Sequence, residues 1–163
     1  MTFERITSLN RPLVSQFLER HWFTTTMIVR GEEIDMTTVD GFYLAEDGII
    51  LALLTYTVYD GVLEIISLDS LRENQGIGTA LVEAAVREAG KQGCSKVVLI
   101  TTNDNVDAMR FYQKRGFDMA RLFRNAMDRS RQLKPEIPLI GEHGIALRHE
   151  VEFERVLDAE KRN

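Results

Sequence analysis

Two glycines one residue apart, Gly76 and Gly78, open an apolar-periodic stretch in "NQGIGTALVEAA". Successive backbone N–H groups at the mouth of a helix, with the positive end of the helix dipole behind them, make a seat for an anion such as a pyrophosphate. Glycine suits the position because a Cβ blocks close approach or forbids the φ values required. The candidate donors run through Asn74, Gln75, Gly76, Ile77, Gly78 and Thr79. A dinucleotide fingerprint would need a third glycine where Leu81 stands, and an ATPase phosphate loop would need Gly-Lys-Ser/Thr, so neither pattern applies. The same glycines would also serve a tight strand-to-helix turn.

Other residues could carry proton or charge chemistry. Glu64 interrupts the apolar run "VLEIISL". A carboxylate near the centre of a sheet is desolvated, which moves its pKa toward neutrality and fits it to accept a proton; a surface-facing strand carboxylate is the other reading. "RHWFTTTMIVRGEEIDM" brings His21, Trp22, Arg30, Glu32 and Glu33 into one irregular stretch. An aromatic and acidic wall suits a cationic amine, and Arg30 suits a carboxylate on the same molecule. Trp22 at such a place is more often a core lid than a ligand platform, and His149, which could also reach that molecule, is on the apolar face of its strand more often a satisfied core histidine. Cys94 is the one cysteine, which rules out an internal disulfide and a cysteine-based zinc cluster, and no metal is expected.

The elements that would position these residues follow from periodicity. Thr2 to Ser8 is a first strand, followed by a short amphipathic helix in "RPLVSQFLERHW" with Pro12 in its first turn. Residues 23–40 lack a clean period and read as a loop with one short β-prone run. "GFYLAED", "GIILALLTYTV" and "GVLEIISL", separated by Asp47-Gly48 and Asp60-Gly61, form an antiparallel meander. Val82, Ala85, Val86 and Ala89 mark a helix that Gly93 closes. "SKVVLITT" is a strand covered on both faces, and the order strand, helix, strand makes a right-handed crossover. A second helix, capped by Asp104 or Asn105, spans "NVDAMRFYQKRGF". A strand "DMARLFR", a short helix over Ala126 to Leu133 and a proline-punctuated loop follow. In "LRHEVEF" the period of two turns Leu147, His149, Val151 and Phe153 inward and Arg148, Glu150 and Glu152 outward.

The totals bound the rest. With 163 residues the chain fits a single domain over 1–163, and a net charge of −5 argues against a nucleic-acid partner. The N-terminus places Glu4 where a signal peptide needs an apolar core, and no apolar run reaches membrane-spanning length, so a soluble cytoplasmic protein with no membrane partner is expected.

The run "EIISLDSLRENQGIGTALV" and the later "NVDAMRFYQKRGF" resemble the GNAT superfamily of acetyl-CoA-dependent N-acetyltransferases. The first is similar to its motif A, Q/R-x-x-G-x-G/A, and the second to its motif B, N-x-x-A-x-x-F/L-Y-x-K-x-G-F; with the hairpins the match covers Thr2 to Phe117. One position departs: Glu73 stands where Gln or Arg is expected, with Arg72 before it and Gln75 after. The resemblance implies an α+β, three-layer α/β fold: a mixed, mostly antiparallel central sheet of about seven strands, helices on both faces, and a parallel, splayed pair formed by the fourth and fifth strands. It implies acetyl-CoA as the cofactor, with Ile66, Ser67 and Leu68 along the pantetheine arm, a Leu68 N–H on the thioester oxygen, and Asn105 touching the pantetheine or pyrophosphate. Asn105 also stands where a helix cap belongs. Tyr112 would donate to the departing sulfur, unless it and Phe111 are core aromatics, and Glu64 would accept the proton of an amine acceptor. Direct transfer in a ternary complex is expected, with His21, Trp22 and Arg30 as acceptor contacts. A silent acyl-CoA-binding regulatory module and transfer of a larger acyl group are the alternatives. An exposed C-terminal edge strand would support a homodimer.

Overall fold

The computed structural model describes residues 1–158; residues 159–163, the end of the expected single-domain span, lie outside the described residues. In chain order the elements are β1 (Glu4–Arg5), α1 (Arg11–Trp22), β2 (Thr26–Val29), β3 (Glu32–Asp35), β4 (Asp40–Glu46), β5 (Ile49–Tyr59), β6 (Val62–Ser70), α2 (Ile77–Lys91), β7 (Lys96–Thr102), α3 (Val106–Gln113), β8 (Asp118–Phe123), α4 (Ala126–Leu133) and β9 (Glu150–Val156). Seven strands belong to a central sheet and β2–β3 form a hairpin of their own, so the fold is mixed α/β. It divides into two units, one of Met1–Thr26 and Asp35–Val97 with the end of β9, the other of Met27–Ile34 and Val98–Arg155.

In the first unit the strand order is β1-β4-β5-β6. The turns of the meander, Asp47-Gly48 and Asp60-Gly61, hold φ values of 52° and 76°, and of 48° and 71°. Both residues of each pair lie in the left-handed region, the type I′ geometry whose twist matches that of the strands it joins. Helix α1 carries its proline in the first turn and buries Val14, Phe17 and Leu18. Helix α2 buries Ile77, Leu81, Val82, Ala85 and Ala89, one stripe at helical spacing. Its end is a Schellman motif: Gly93 turns left-handed at φ 72°, its N–H reaches the Gly90 carbonyl at 3.1 Å, and the Cys94 N–H reaches Ala89 at 2.9 Å. The first strand is shorter than the expected Thr2 to Ser8. The Asn10 side chain accepts from the Thr7 N–H at 2.7 Å and donates to the Arg5 carbonyl at 2.8 Å, folding the chain into a turn before α1.

In the second unit β9 lies between β7 and β8 and pairs antiparallel with β8. Three expectations are corrected here. The C-terminal strand β9 is flanked on both sides and is not the exposed edge that was expected to support a homodimer. Residues 23–40 are not mostly loop: β2 and β3 form a hairpin turned by Arg30-Gly31, at φ 52° and 69°. The turn is held from outside by the Arg30 guanidinium on Glu152 Oε1 at 2.7 Å, and a Cβ on Gly31 would overlap the Arg129 side chain. The last strand runs Glu150–Val156, and Glu150 and Glu152, expected to face solvent, are buried. Arg30 and Arg121 supply the counter-charge to Glu152, the latter 3.2 Å from its Oε2.

The proline-punctuated loop of the second unit is fastened by two side chains of the turn after β7. Asn103 Oδ1 accepts from the N–H groups of Arg148 and His149, both at 2.9 Å, and Asp104 Oδ2 accepts from the Glu142 N–H at 2.8 Å. Gly141 is glycine because a Cβ there would run into that carboxylate.

Candidate active site

The ladder between β5 and β6 pairs Thr55 with Ser67 and Tyr56 with Ile65, leaving Ile66 as an extra residue on β6. This bulge falls inside the trio Ile66, Ser67 and Leu68 singled out from the sequence, and a bulge turns main-chain groups away from regular pairing. It also shifts the phase of the strand. Glu64 pairs with Thr57, Ser67 with Thr55 and Asp69 with Leu53, and residues directly opposite share a face. Since Leu53, Thr55 and Thr57 alternate along one face of β5, the bulge brings Glu64, Ser67 and Asp69 onto that same face despite their odd spacing. Glu64 and Ser67 are buried, so the surface-facing reading of Glu64 does not hold.

Beyond β6 the chain reaches α2 through a turn with Asn74 at φ 60° and Gly76 at φ 74°. Gly76 is the N-cap residue; no side chain caps this end, and no acidic residue occupies the first turn. The space where a Gly76 Cβ would sit is open within 4 Å, so the left-handed φ is what requires glycine. Ile77 is buried, while Gln75 at the mouth of the helix is exposed. A helix N-terminus left uncapped by side chains, facing open space, fits a pyrophosphate. Arg72, the cation nearest in sequence, is committed elsewhere: its guanidinium forks onto Glu46, with Nη2 at 2.8 Å from Oε2 and Nη1 at 3.2 Å from Oε1.

On the α1 side of the sheet the structure brings Trp22 to a residue missed from the sequence. The indole Nε1 donates to Asp69 Oδ1 at 3.1 Å, and the other carboxylate oxygen is buried without a hydrogen-bond partner. Burial pushes the Asp69 carboxyl up from its ordinary value, against the indole N–H and the nearby His21, which pull it down. The available signal was a second carboxylate, "SLDS", at the polar end of the strand that carries Glu64. His21 itself lies against Phe17, ring centroids 4.5 Å apart and tilted by 44°, and lines a cavity of about 210 Å³ with Arg20, Gln16 and Ile50.

In the second unit Tyr112 is buried between aromatic neighbours, edge-on to Phe111 at 5.0 Å and to Phe117 at 5.5 Å. Asn105 caps α3, its side chain accepting from the Ala108 N–H at 3.1 Å. Arg30 is engaged with Glu152, and His149 Nδ1 accepts from the Asn125 N–H at 2.8 Å, the satisfied histidine of the second reading.

The model of the acetyltransferase (GNAT) family matches residues 8–117, and the chain belongs to that family. It is 44% identical over 147 residues to the uncharacterised protein YdhI of Bacillus subtilis (strain 168), covering 90% of this chain and 92% of that one. A GNAT family acetyltransferase from Elizabethkingia anophelis with acetyl-CoA bound has a similar fold, with a TM-score of 0.68 at 19% identity, covering 96% of this chain and 97% of that one. A Bacillus subtilis acetyltransferase in complex with CoA gives a TM-score of 0.67 at 17% identity, covering 96% and 98%. Among the described residues no helix is long and apolar enough to cross a membrane.

Proposed function

We propose that the chain is an N-acetyltransferase that moves an acetyl group from acetyl-CoA to an amine by direct attack in a ternary complex, the whole chain acting as one cytoplasmic transferase domain. The observation that carries this reading is the bulge at Ile66 on β6, followed by an N-terminus of α2 that no side chain caps. That pairing of features suits a ligand with an extended amide arm and a diphosphate, and two proteins of similar fold were crystallised with acetyl-CoA or CoA.

When bound, the thioester supplies an activated acetyl group. The N–H groups of Gly76, Ile77, Gly78 and Thr79 hold the diphosphate, aided by the helix dipole, with Asn74 and Gln75 at the rim. The main chain of Ile66, Ser67 and Leu68 hydrogen-bonds the amide arm, and the Leu68 N–H holds the negative charge that develops on the carbonyl oxygen. Glu64, buried on the same strand, takes the proton that the amine must lose. For the departing thiolate and for contact with the cofactor, the motif resemblance assigns the Tyr112 hydroxyl and Asn105.

The test is thiol release from acetyl-CoA measured over a panel of primary amines, beside calorimetry with coenzyme A. Turnover with any amine, slowed by Glu64→Gln, is the expected result. Binding heat with no turnover over the panel would leave an acyl-CoA-binding module, faster release from longer acyl-CoA esters would reassign the acyl group, and no binding heat would end the reading.

A further inference from the structure

Asp69 has a carboxylate only half provided for. Oδ1 accepts the Trp22 indole N–H, whereas Oδ2 is buried and has no hydrogen-bond partner. Asp69 is half-buried as a residue, and among the described residues it forms no ion pair, His21 lying near enough only to act on its charge, although a carboxylate oxygen shut off from water is ordinarily matched by a donor. The ladder places it on the face of β6 that carries Glu64, and it directly follows Leu68. An ionised carboxylate accepts only, so the missing partner is a donor, and the surroundings favour a positive one. Trp22 is the last residue of α1, so the negative end of that helix dipole lies at this carboxylate. Phe23, next in the chain, holds φ 60° with its ring 90% exposed, an uncommon state for a bulky apolar residue, and leaves an aromatic face at the same end of the helix.

We propose that Asp69 Oδ2 receives the ammonium group of the acceptor and so selects a cationic amine over neutral nucleophiles; this deepens the transferase reading and rests on it. The oxygen is closed to bulk water, so the proposal requires the seam between α1 and β6 to open for the amine to reach it. Trp22, which bridges that seam, registers the event, and it is the sole tryptophan of the chain.

The experiment follows Trp22 fluorescence of the CoA-loaded chain during titration with n-butylamine and 1,4-diaminobutane, with n-butanol and 1,4-butanediol as neutral counterparts. A saturable change with the amines and none with the alcohols is expected. Asp69→Asn keeps an oxygen for the indole N–H and removes the charge, and should weaken the amine response roughly tenfold or more, the effect of losing a charge-assisted hydrogen bond. Equal responses to amines and alcohols, no response to either amine, or an unchanged midpoint in a folded Asp69→Asn chain would each overturn the proposal. Should that variant fail to fold, the amine and alcohol comparison on the unaltered chain decides. Acetyl transfer to the same amines, followed in parallel, separates the two claims. A charge-dependent fluorescence response with no transfer to these amines or to any other amine of the panel removes the transferase reading and keeps the Asp69 site; transfer with unaltered KM in Asp69→Asn does the reverse.

Discussion

Thr55 Oγ1 and Ser67 Oγ lie 2.6 Å apart, both residues buried, on the rung next to the bulge of β6. The pair fixes the register at the point where Ile66 leaves the ladder, one hydroxyl donating to the other in the buried interior. Thr55→Val keeps the shape and leaves the Ser67 hydroxyl with its partner removed, which should destabilise the fold by about 1–3 kcal/mol. The measurement is the urea midpoint with the slope unchanged; a shift well below that range would mean Ser67 finds another acceptor.

Gly76 and Gly48 allow a paired comparison. Both hold left-handed φ, 74° and 76°, and a methyl group added at either would meet nothing within 4 Å, so alanine at these positions strains only the backbone. Each substitution should lower stability by about 1 kcal/mol, a typical penalty for a Cβ in that region. They should part on ligand binding. Gly76→Ala disturbs the donors at the start of α2 and should weaken coenzyme A in calorimetry, while Gly48→Ala, in the hairpin between β4 and β5, should titrate as the parent does. Equal loss in both would place the diphosphate elsewhere.

Buried charge in the second unit gives a third expectation. Glu152 is 5% exposed and shared between Arg30 and Arg121. Arg30→Met withdraws one cation from a buried carboxylate and unties the hairpin turn, and should cost about 3 kcal/mol of stability. Arg121, two-thirds exposed, should matter less, and Arg121→Met should shift the midpoint by less than half as much. A reversed ranking would show that β8, rather than the hairpin, carries the compensation.

Elements set by local periodicity were legible in the sequence and those set by distant charge were not. Helix α1 over Arg11–Trp22, helix α4 over Ala126–Leu133, the two Asp-Gly turns and the Gly93 cap all follow from spacing and turn chemistry close in the chain. The hairpin at Arg30-Gly31 was hidden because Arg is an unusual first turn residue, and its support comes from Glu152, far along the sequence. The outward assignment of Glu150 and Glu152 failed for the same reason: alternation reports polarity, and a buried polar row looks identical to a solvated one until its arginines are placed. In the candidate site, Gly76 and Glu64 were marked by type and position. Asp69 was not, because its interest lies in a bond to Trp22 that joins α1 to β6 and in a bulge that alters strand phase.

Tyr112 tests the difference between a packing ring and a working hydroxyl. Its ring sits edge-on to Phe111 and Phe117, contacts that phenylalanine keeps. Tyr112→Phe should therefore hold stability within about 1 kcal/mol and leave coenzyme A affinity nearly unchanged, while slowing transfer by roughly tenfold to a thousandfold, the span of lost general-acid assistance. Parallel loss of affinity and rate would assign the residue to packing.

The sign of the pH dependence at Asp69 follows from its surroundings. Burial raises its carboxyl above the ordinary value, with the Trp22 N–H and His21 opposing. In the unfolded chain the group ionises near the usual aspartate value of about 3.9. Between that value and the raised native one, the folded state keeps a proton that the unfolded state has released, so stability falls as pH climbs through the window and stays lower above it. Asp69→Asn cannot ionise and escapes this loss. Thermal unfolding from pH 4 to pH 8 should show the variant gaining on the parent as pH rises and then holding a constant lead, with the indole bond retained through the amide oxygen. A lead that shrinks with rising pH would mean the native carboxylate is already stabilised by a cation.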